Sequence, residues 1–503
     1  MHCAVPTRGF LSMSEVMLAL EWALVWAVGV VLVDALALPR AQLSVPPRSF
    51  AGTAMLLFAA ALAGGVMLVI TGALPVSVAA TILLASALSA ISNAKRKVLG
   101  EPLVFSDVAL VGAVFQHPQF YVSALRPWQF VVLGGGFVSL IAAVALFSSA
   151  ALAPRLAGAA LALAAGLGLG ILLRMKRWRG IAEAPDPEID VRDHGLIASL
   201  LVHWHYWRRA TDPAPCDAPK IAGQSRQLLV IVQCESFTDP AALFEQPRFA
   251  LPGLESARNL AWQKGRLLVP GFGAYTMRTE YGVLFGRDEG ALGLRRFDPF
   301  LTAGGETSWA LPNRLDDREW ASWFVHPHDL RFYGRDRLMP QAGFTALIGE
   351  DSFAPPAPDE GRYVTDAAIA ERIIELAQDR TRAGLIYAVT IENHGPWPPG
   401  KSGPESQAAP YLKLVGHSDA MLTRLLEALP QLERPVTLCF FGDHRPSIPG
   451  VIEPATERHT PYVLMRFAHD GTALSGSGPD QDLTPAELHH AILAAIRSGE
   501  AEG

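Results

Sequence analysis

Cysteine is scarce in this sequence, and its placement excludes two common scaffolds. The chain has four cysteines among 503 residues, and none of them lies in a CxxC arrangement. Neither a disulfide framework nor a zinc knuckle is therefore indicated. Cys234 and Cys439 fall inside apolar runs, where cysteine usually serves as a small buried hydrophobic residue.

The sequence also lacks a strong excess of charge of either sign. Its formal net charge at pH 7 is −6, from 42 basic and 48 acidic residues. This near balance argues against a nucleic acid as partner. The mean hydropathy is nevertheless +0.23, which is high for an ordinary soluble enzyme, and the apolar excess lies in the first third of the chain.

Five apolar runs precede residue 175 and approach the length of about 20 residues that crosses a hydrocarbon core. The first run carries Glu21 and Asp34 and has no small-residue cleavage site behind it. It therefore predicts an uncleaved helix rather than a signal peptide. The five predicted spans are residues 16–38, 51–74, 76–91, 130–152 and 156–173.

A basic, aromatic cluster at residues 174–179 follows the last run and is typical of a collar at the membrane surface. A polar segment with several prolines then leads to a pattern of a different kind. We predict a transmembrane domain over residues 1–175, an interfacial linker over 176–226 and a layered domain over 227–503.

The last of these domains alternates strands and helices. Buried strands are predicted at residues 228–232, 385–391, 436–441 and 461–465, and helices at 365–378, 417–429 and 485–496. Thr484 is the predicted N-cap of the last helix. This pattern predicts an α/β fold with a mostly parallel central sheet.

Two of the buried strands stop at side chains that bind metal ions. One leads to Glu235, and another leads to Asp443 and His444. Ligands bind at the carboxyl edge of such sheets, and a histidine beside carboxylates shifts the preference from calcium towards manganese or zinc. Either acid alone is as readily a helix cap or a loop residue. Together with His444, the two acids predict one metal centre.

Residues 271–281 supply a candidate nucleophile. Their glycines allow the backbone to approach a ligand closely, and Thr276 heads a predicted helix whose free N–H groups favour a phosphate. A hydroxyl held by a metal ion has a lowered pKa and is ready for attack. Thr276 is also a common type of N-cap residue, and the two roles are compatible.

The order of these motifs resembles the lipoteichoic acid synthase and phosphoglycerol transferase family, which is sulfatase-like and belongs to the alkaline phosphatase superfamily. The motifs are Glu235-Ser236 after a buried strand, Thr276 with Glu280 four residues on, Asn-His-Gly-Pro at 393–396 and Phe-Gly-Asp-His at 441–444. The resemblance covers nearly the whole chain. It implies a membrane α-helical bundle of five spans followed by an alkaline-phosphatase-like α/β domain, with residues 227–503 as the catalytic part.

Carried over by position, the resemblance makes Glu235, Thr276, Asp443 and His444 the ligands of one divalent cation. Mn2+ is the first choice, with Mg2+ or Zn2+ as alternatives. Thr276 becomes the nucleophile that takes glycerol phosphate from phosphatidylglycerol, and a hydroxyl of an envelope glycan or polymer then accepts it. A metal-dependent phosphoesterase and a phosphoethanolamine transferase are the alternatives on the same scaffold.

The resemblance also implies residues that bind substrate. Arg335 matches an arginine that grips phosphate, which suits a planar forked donor. His326 matches a family position as well, and His394 matches a histidine that contacts glycerol hydroxyls or protonates a leaving group. Tyr333 stands where the synthases usually have tryptophan, and His328 also departs from their pattern. These departures leave the headgroup and the acceptor open.

Two further points follow from the resemblance. His459 precedes a Thr-Pro pair, as does a metal-binding histidine in related transferases and phosphatases, so a second metal ion is an alternative. Arylsulfatases of the superfamily need a Cys/Ser-x-Pro-x-Arg setting for their nucleophile, and the residues after Thr276 do not supply it.

The family places its catalytic domain on the outer side of the cytoplasmic membrane. With five spans and a cytoplasmic N-terminus, the basic residues 95–97 and the collar at 174–179 would both lie outside, against the positive-inside tendency. Because the motifs are more specific than this tendency, we predict a multi-pass inner-membrane protein with its catalytic domain on the periplasmic or extracellular side.

Overall fold

The computed structural model describes residues 13–40, 48–110, 127–223, 226–357, 361–397, 403–455, 457–476 and 480–497. The chain forms two compact units. One holds most of the residues up to Arg208, and the other holds mainly those from Arg209 on.

The first unit consists of long apolar helices followed by three short ones. Its helices are α1 (Met13–Ala35), α2 (Phe50–Thr71), α3 (Leu74–Leu99), α4 (Pro127–Phe147), α5 (Leu152–Leu173), α6 (Arg179–Glu183), α7 (Pro187–His194) and α8 (Leu196–Trp207). Helices α2 and α5 approach closely at Gly65 and Gly158. A Cβ on Gly65 would lie only 2.7 Å from the carbonyl oxygen of Gly158, so a larger residue would not fit there. Such small-residue contacts are typical of helix pairs in membranes.

Four helices in the described part of the chain are long and apolar enough to cross a membrane, as in a multi-pass membrane protein. They are Val16–Ala35, Phe50–Thr71, Leu74–Leu99 and Leu152–Leu173. The fourth predicted span, residues 130–152, coincides largely with α4, whose apolar part Gly134–Phe147 is shorter than a span. The number of five spans therefore stays a prediction.

The intramembrane acid Asp34 is buried with a basic partner in the same unit. Arg48 Nε lies 3.4 Å from Asp34 Oδ2. The Arg48 guanidinium also donates to backbone carbonyls at the ends of α1 and α7, including those of Ala37 and Val191. The charged partner of Asp34 is thus an arginine.

The second unit contains a sheet that, among the described residues, has seven strands. They are β1 (Leu228–Cys234), β2 (Gln263–Leu268), β3 (Trp320–Val325), β4 (Ala346–Ile348), β5 (Ala383–Val389), β6 (Val436–Gly442) and β7 (His459–Phe467). Their order is β2-β7-β6-β1-β5-β3-β4. Strand β7 is antiparallel to both of its neighbours, and the remaining pairs are parallel. The prediction of a mostly parallel sheet is confirmed.

The helices of this unit cover both faces of the sheet. They are α9 (Pro240–Leu243), α10 (Pro252–Leu260), α11 (Thr276–Phe285), α12 (Glu289–Leu292), α13 (Pro299–Thr302), α14 (Arg335–Gln341), α15 (Asp366–Ala377), α16 (Gly403–Ala428) and α17 (Pro485–Arg497). Helices α11 and α17 pack in one core, and α10, α15 and α16 pack in the other.

Strand β1 begins with an unbroken apolar run because both faces of the strand are buried. Leu229 and Ile231 enter the first core, whereas Val230 and Val232 enter the second. Both faces are therefore apolar, as is usual for parallel sheets covered by helices.

The predicted helix boundaries agree with the structure at two helices and disagree at a third. Thr484 caps α17 as predicted, since the Glu487 N–H donates to its Oγ1 at 3.3 Å. Helix α15 also lies where it was predicted. Helix α16, however, begins at Gly403 rather than near residue 417 and continues through Pro410.

Candidate active site

Glu235, Asp443 and His444 come together at the carboxyl edge of the sheet. They follow the neighbouring parallel strands β1 and β6 directly, so the strand ends bring them together. His444 Nε2 lies 3.4 Å from Glu235 Oε1 and 3.5 Å from Asp443 Oδ2. Of the side chains that the structure describes, these three form the one group of ligands whose donor atoms all lie within 4.8 Å of one another.

The surrounding hydrogen bonds orient these ligand atoms. The Nδ1–H of His444 donates to the Arg445 carbonyl at 3.1 Å, so Nε2 is the ring nitrogen that faces the carboxylates. Asp443 Oδ1 accepts hydrogen bonds from the backbone N–H groups of Ser236 and His444. Asp443 Oδ2 is buried, and no described donor reaches it in hydrogen-bonding geometry. This donor set fits a divalent cation.

Burial raises the pKa of both acids. The pKa of Asp443 rises to about 6 through burial and the nearby Glu235. Burial also raises the pKa of Glu235, although His444 opposes the shift. Burial disfavours protonation of His444, but Asp443 and Glu235 together raise its pKa. Two buried carboxylates with one imidazole between them would be held ionised by a divalent cation.

Thr276 is the first residue of α11. Its hydroxyl lies near the Asp443 carboxyl and opposes the rise in the pKa of that carboxyl. The N-cap position belongs to Tyr275, so the alternative in which Thr276 is the N-cap residue is wrong. The Thr276 hydroxyl stands at a helix N-terminus, where backbone N–H groups favour an anion such as phosphate.

Three non-glycine residues at or next to predicted site residues have a positive φ. They are Ser236 at 51°, Tyr275 at 76° and Tyr333 at 60°. Such conformations cost roughly 1–3 kcal/mol each and cluster at functional sites. Ser236 Oγ donates to Glu235 Oε1 at 2.8 Å, so the first of these turns helps to orient a candidate ligand.

A small cavity beside the cluster contains the predicted substrate residues. Its lining includes Glu235, Thr276, His326, His328, Tyr333, Arg335 and His394. Glu235 belongs both to this lining and to the cluster with Asp443 and His444. The structure therefore brings together the predicted nucleophile, the predicted substrate-binding residues and the predicted ligands of the first cation. The role of each residue stays a prediction.

Two histidines of the cavity are neutral hydrogen-bond acceptors. The Nδ1–H of His394 donates to the Gly395 carbonyl at 2.7 Å, and that of His326 donates to the Val389 carbonyl at 3.0 Å. Burial lowers the pKa of His394 to about 4 and that of His326 well below its ordinary value. Their Nε2 atoms therefore carry lone pairs at pH 7. For His394 this favours contact with substrate hydroxyls over protonation of a leaving group.

Arg335 is 1% exposed and forms a bidentate ion pair with Glu280. Its Nε and Nη2 atoms donate to the two Glu280 carboxylate oxygens at 3.1 and 2.5 Å. The sequence motif includes Glu280, but sequence reasoning missed its pairing with Arg335. The position of Glu280 four residues after Thr276 was the available signal, because residues i and i+4 share one face of a helix.

His459 begins β7 and belongs to no metal-binding group among the residues described. Its Nε2 lies 3.9 Å from Glu457 Oε2. It lines a separate surface groove with Arg266 and Arg458. A second metal ion at His459 therefore has no ligand set in the described part of the chain.

A family model described as Sulfatase matches residues 227–491. The chain belongs to the sulfatase family. This match confirms the sulfatase-like family in the resemblance drawn from the motifs.

The chain is similar to three other proteins. The capsular polysaccharide biosynthesis protein RkpI of Rhizobium meliloti is 28% identical over 428 residues, which cover 80% of this chain and 79% of RkpI. The lipooligosaccharide phosphoethanolamine transferase A of Neisseria meningitidis, an integral membrane protein, has a TM-score of 0.53 at 12% identity and covers 93% of this chain and 94% of its own. The phosphoglycerol transferase GacH of Streptococcus pyogenes has a TM-score of 0.42 at 16% identity, over 55% of this chain and 76% of its own.

Proposed function

We propose that the chain is a membrane-bound, metal-dependent phosphotransferase that moves glycerol phosphate from phosphatidylglycerol to an envelope glycan or polymer. The observation that carries this proposal is the meeting of a helix N-terminal hydroxyl, a buried ligand cluster and a buried arginine around one cavity. Thr276, the Glu235–Asp443–His444 cluster and Arg335 supply these three parts.

The reaction has two displacements at one phosphorus atom. In the first, the Thr276 hydroxyl loses its proton and its oxygen attacks the phosphorus, while the bond to the diacylglycerol oxygen breaks and that oxygen gains a proton. In the second, a hydroxyl of the acceptor loses its proton and its oxygen attacks the same phosphorus, while the bond to the Thr276 oxygen breaks and that oxygen regains its proton. His394 and His326 contact substrate hydroxyls through their Nε2 atoms, and Arg335 holds the phosphate.

Glu235, Asp443, His444 and the Thr276 hydroxyl are the proposed ligands of the cation, for which Mn2+ is the first choice. A divalent cation bound there lowers the pKa of the threonine hydroxyl and offsets negative charge on the phosphate. Asp443 Oδ2 and His444 Nε2, both directed into the cluster, support this assignment.

The cavity lining supports glycerol over ethanolamine as the headgroup. Among the described lining residues Glu235 is the only carboxylate, and it is a proposed metal ligand. An ammonium group would then lack an acidic partner and would lie near the Arg335 cation. The Nε2 atoms of the two neutral histidines accept hydrogen bonds, which suits hydroxyl groups as donors. The name of RkpI, a capsular polysaccharide biosynthesis protein, supports a glycan acceptor.

The purified full chain tests the proposal with labelled phosphatidylglycerol and Mn2+. We expect a glycerol phosphate adduct on Thr276 by mass spectrometry, release of diacylglycerol, and transfer to a glucose oligosaccharide used as the hydroxyl probe. Thr276→Ala should abolish all three, whereas Thr423→Ala, a helix α16 control, should retain them. An unlabelled Thr276 in an active preparation would refute the covalent step.

Two parallel assays separate the alternatives. Phosphatidylethanolamine as donor should leave Thr276 unmodified, and an ethanolamine phosphate adduct would reverse the headgroup assignment. Release of glycerol phosphate at the same rate with and without oligosaccharide would favour a phosphoesterase. The proposed periplasmic or extracellular orientation predicts that an alkaline phosphatase reporter fused after residue 503 is active, and activity of a cytoplasmic reporter there would contradict it.

A further inference from the structure

Residues 390–397, here named the His394 loop, carry a buried acid that faces away from the cavity. Glu392 is 5% exposed and is absent from the described cavity lining. Its Oε2 accepts the backbone N–H of Asp366, the first residue of α15, at 2.7 Å. Its Oε1 lies 2.7 Å from Nδ1 of His417 on α16. One carboxylate thus ties the His394 loop to two helices.

The two helices are joined at the same place by a second carboxyl group. Asp366 is fully buried, and its Oδ2 accepts the Ser418 hydroxyl at 2.6 Å. Ser418 and His417 are consecutive residues of α16, so both carboxyl groups reach the same turn of that helix. The N-terminus of α15 is also a favourable place for the Glu392 carboxylate, because the first N–H groups of a helix lack intrahelical partners.

Glu392 lies two residues from His394, so its contacts affect the backbone that carries His394 as well as the packing of the core. Both oxygens of Glu392 are directed by partners on separate elements, which limits the positions that the backbone of the His394 loop can take. His394 itself lines the cavity. Displacement of a reacting group by about 1 Å can cost roughly 100-fold in rate.

Other contacts hold the loop near its far end. Arg362 Nη2 donates to the carbonyls of His394 and Gly395 at 2.9 and 3.1 Å, and Trp397 Nε1 donates to Asn393 Oδ1 at 3.1 Å. These contacts are independent of Glu392 and His417. Loss of the Glu392–His417 pair should therefore shift the His394 loop without unfolding it.

We propose that Glu392 and His417 are positioning residues that hold the His394 loop so that His394 Nε2 meets the hydroxyl of the acceptor. The inference rests on the proposed function and adds to it that the substrate hydroxyl met by His394 Nε2 is that of the acceptor, in the second displacement. The first displacement uses Thr276 and the ligand cluster. In the described part of the chain, the side chains of Glu392 and His417 form hydrogen bonds with each other and with α15, and not with Thr276 or the ligand cluster. The two steps should therefore respond differently when the pair is removed.

The test measures the two steps separately in the full chain with Mn2+. Formation of the Thr276 adduct from phosphatidylglycerol is followed first. After removal of donor, decay of the adduct is followed with water and with a glucose oligosaccharide. For His417→Ala and Glu392→Gln we expect adduct formation within twofold of wild type and decay slowed about tenfold or more. His417→Gln, which keeps an N–H donor for Glu392, should restore much of the decay rate.

The matched control uses another pair between the same helices. Arg424 of α16 and Glu371 of α15 form an ion pair at 2.8 Å with both side chains well exposed. Arg424→Gln should leave both steps as in wild type. Decay in His417→Ala as fast as in this control would overturn the inference. Equal slowing of both steps with a lowered unfolding midpoint would show a structural role and would overturn it as well. Failure of wild type to form any adduct would instead refute the proposed function.

Discussion

Each unit of the chain contains a cluster of buried charge, and the two clusters are completed in different ways. In the first unit Asp34 lies against Arg48, and the same guanidinium donates to several backbone carbonyls. In the second unit Glu235 and Asp443 face a single imidazole, and one Asp443 oxygen meets no described donor in hydrogen-bonding geometry.

The difference separates a structural cluster from a candidate binding site. Removing water from a charge costs several kcal/mol, and a folded protein recovers this only where the partners are complete. Asp34 and Arg48 balance in charge within the protein. Glu235, Asp443 and His444 hold two acids for one base, so their charges balance only with an added proton or a bound cation. The same physical rule therefore predicts opposite changes in unfolding temperature when a charged residue of each cluster is replaced.

Asp443→Asn, in the incomplete cluster, should give the largest effect. It removes one negative charge and a ligand oxygen, so we expect bound metal to fall and turnover with phosphatidylglycerol to drop about 1000-fold, as several kcal/mol of transition-state stabilisation are lost. With EDTA present the same variant should unfold at a higher temperature than wild type, because it no longer buries two neighbouring carboxylates.

Asp419→Asn is the matched control for that substitution. Asp419 is a buried aspartate of α16 that accepts the N–H groups of Gly253 and Leu254 at the start of α10. Its substitution should lower the unfolding temperature and leave the metal content unchanged. Unchanged metal content and turnover in Asp443→Asn would remove Asp443 from the site.

Arg48→Met breaks the completed cluster and should act on stability alone. It leaves Asp34 buried without its cation and leaves backbone carbonyls without a donor. Removing one partner of a buried pair costs about 3–5 kcal/mol, so the unfolding temperature in detergent should fall by several degrees. Turnover per folded molecule should stay within twofold of wild type. Asp34→Asn combined with Arg48→Met should recover part of the loss, and no loss in the single variant would contradict the comparison.

Glu280→Gln should have an intermediate effect, because the Glu280–Arg335 ion pair is complete but Arg335 lines the cavity. The Gln side chain keeps one acceptor for Arg335 and loses the charge and the bidentate geometry. We expect kcat/KM for phosphatidylglycerol to fall roughly 10- to 100-fold with unchanged metal content. Glu255→Gln, in the exposed pair with Arg258, is the control and should have no effect. A normal kcat/KM in Glu280→Gln would show that Arg335 needs no such partner.

The comparison also explains what could be predicted from the sequence. The ligands Glu235, Asp443 and His444 follow doubly buried strands, whose apolar runs are visible and whose ends meet by topology. Thr276 lies in a recognisable glycine-rich motif. The pairs Glu280–Arg335 and Glu392–His417 join residues 55 and 25 positions apart, and no local pattern connects such partners.

Strands β2 and β4 and the start of helix α16 were not predicted from the sequence. Strand β2 contains Gln263, Lys264 and Arg266 and lies at an edge of the sheet, so it lacks an apolar run. Strand β4 has only three residues. Helix α16 contains Pro410, which ordinarily marks a helix boundary and places the predicted start too late.

Asp366→Asn should have an effect on stability that depends on pH. Burial and the nearby Glu392 raise the pKa of Asp366 to about 8, from an ordinary value of 3.8 in the unfolded chain. The folded protein therefore holds a proton that the unfolded chain releases, and wild type loses stability as pH rises from about 4 to about 8. Asparagine keeps an acceptor for Ser418 and has no proton to lose.

The unfolding midpoints at pH 5 and pH 9 measure this difference. Relative to wild type, Asp366→Asn should gain several degrees at pH 9 and less at pH 5. Asp379, just beyond the other end of α15, has a pKa lowered by hydrogen bonds from Thr381. Its substitution by asparagine should have the opposite sign and remove stability above about pH 4. Parallel pH profiles for wild type and Asp366→Asn would mean that Asp366 is ionised in the folded protein.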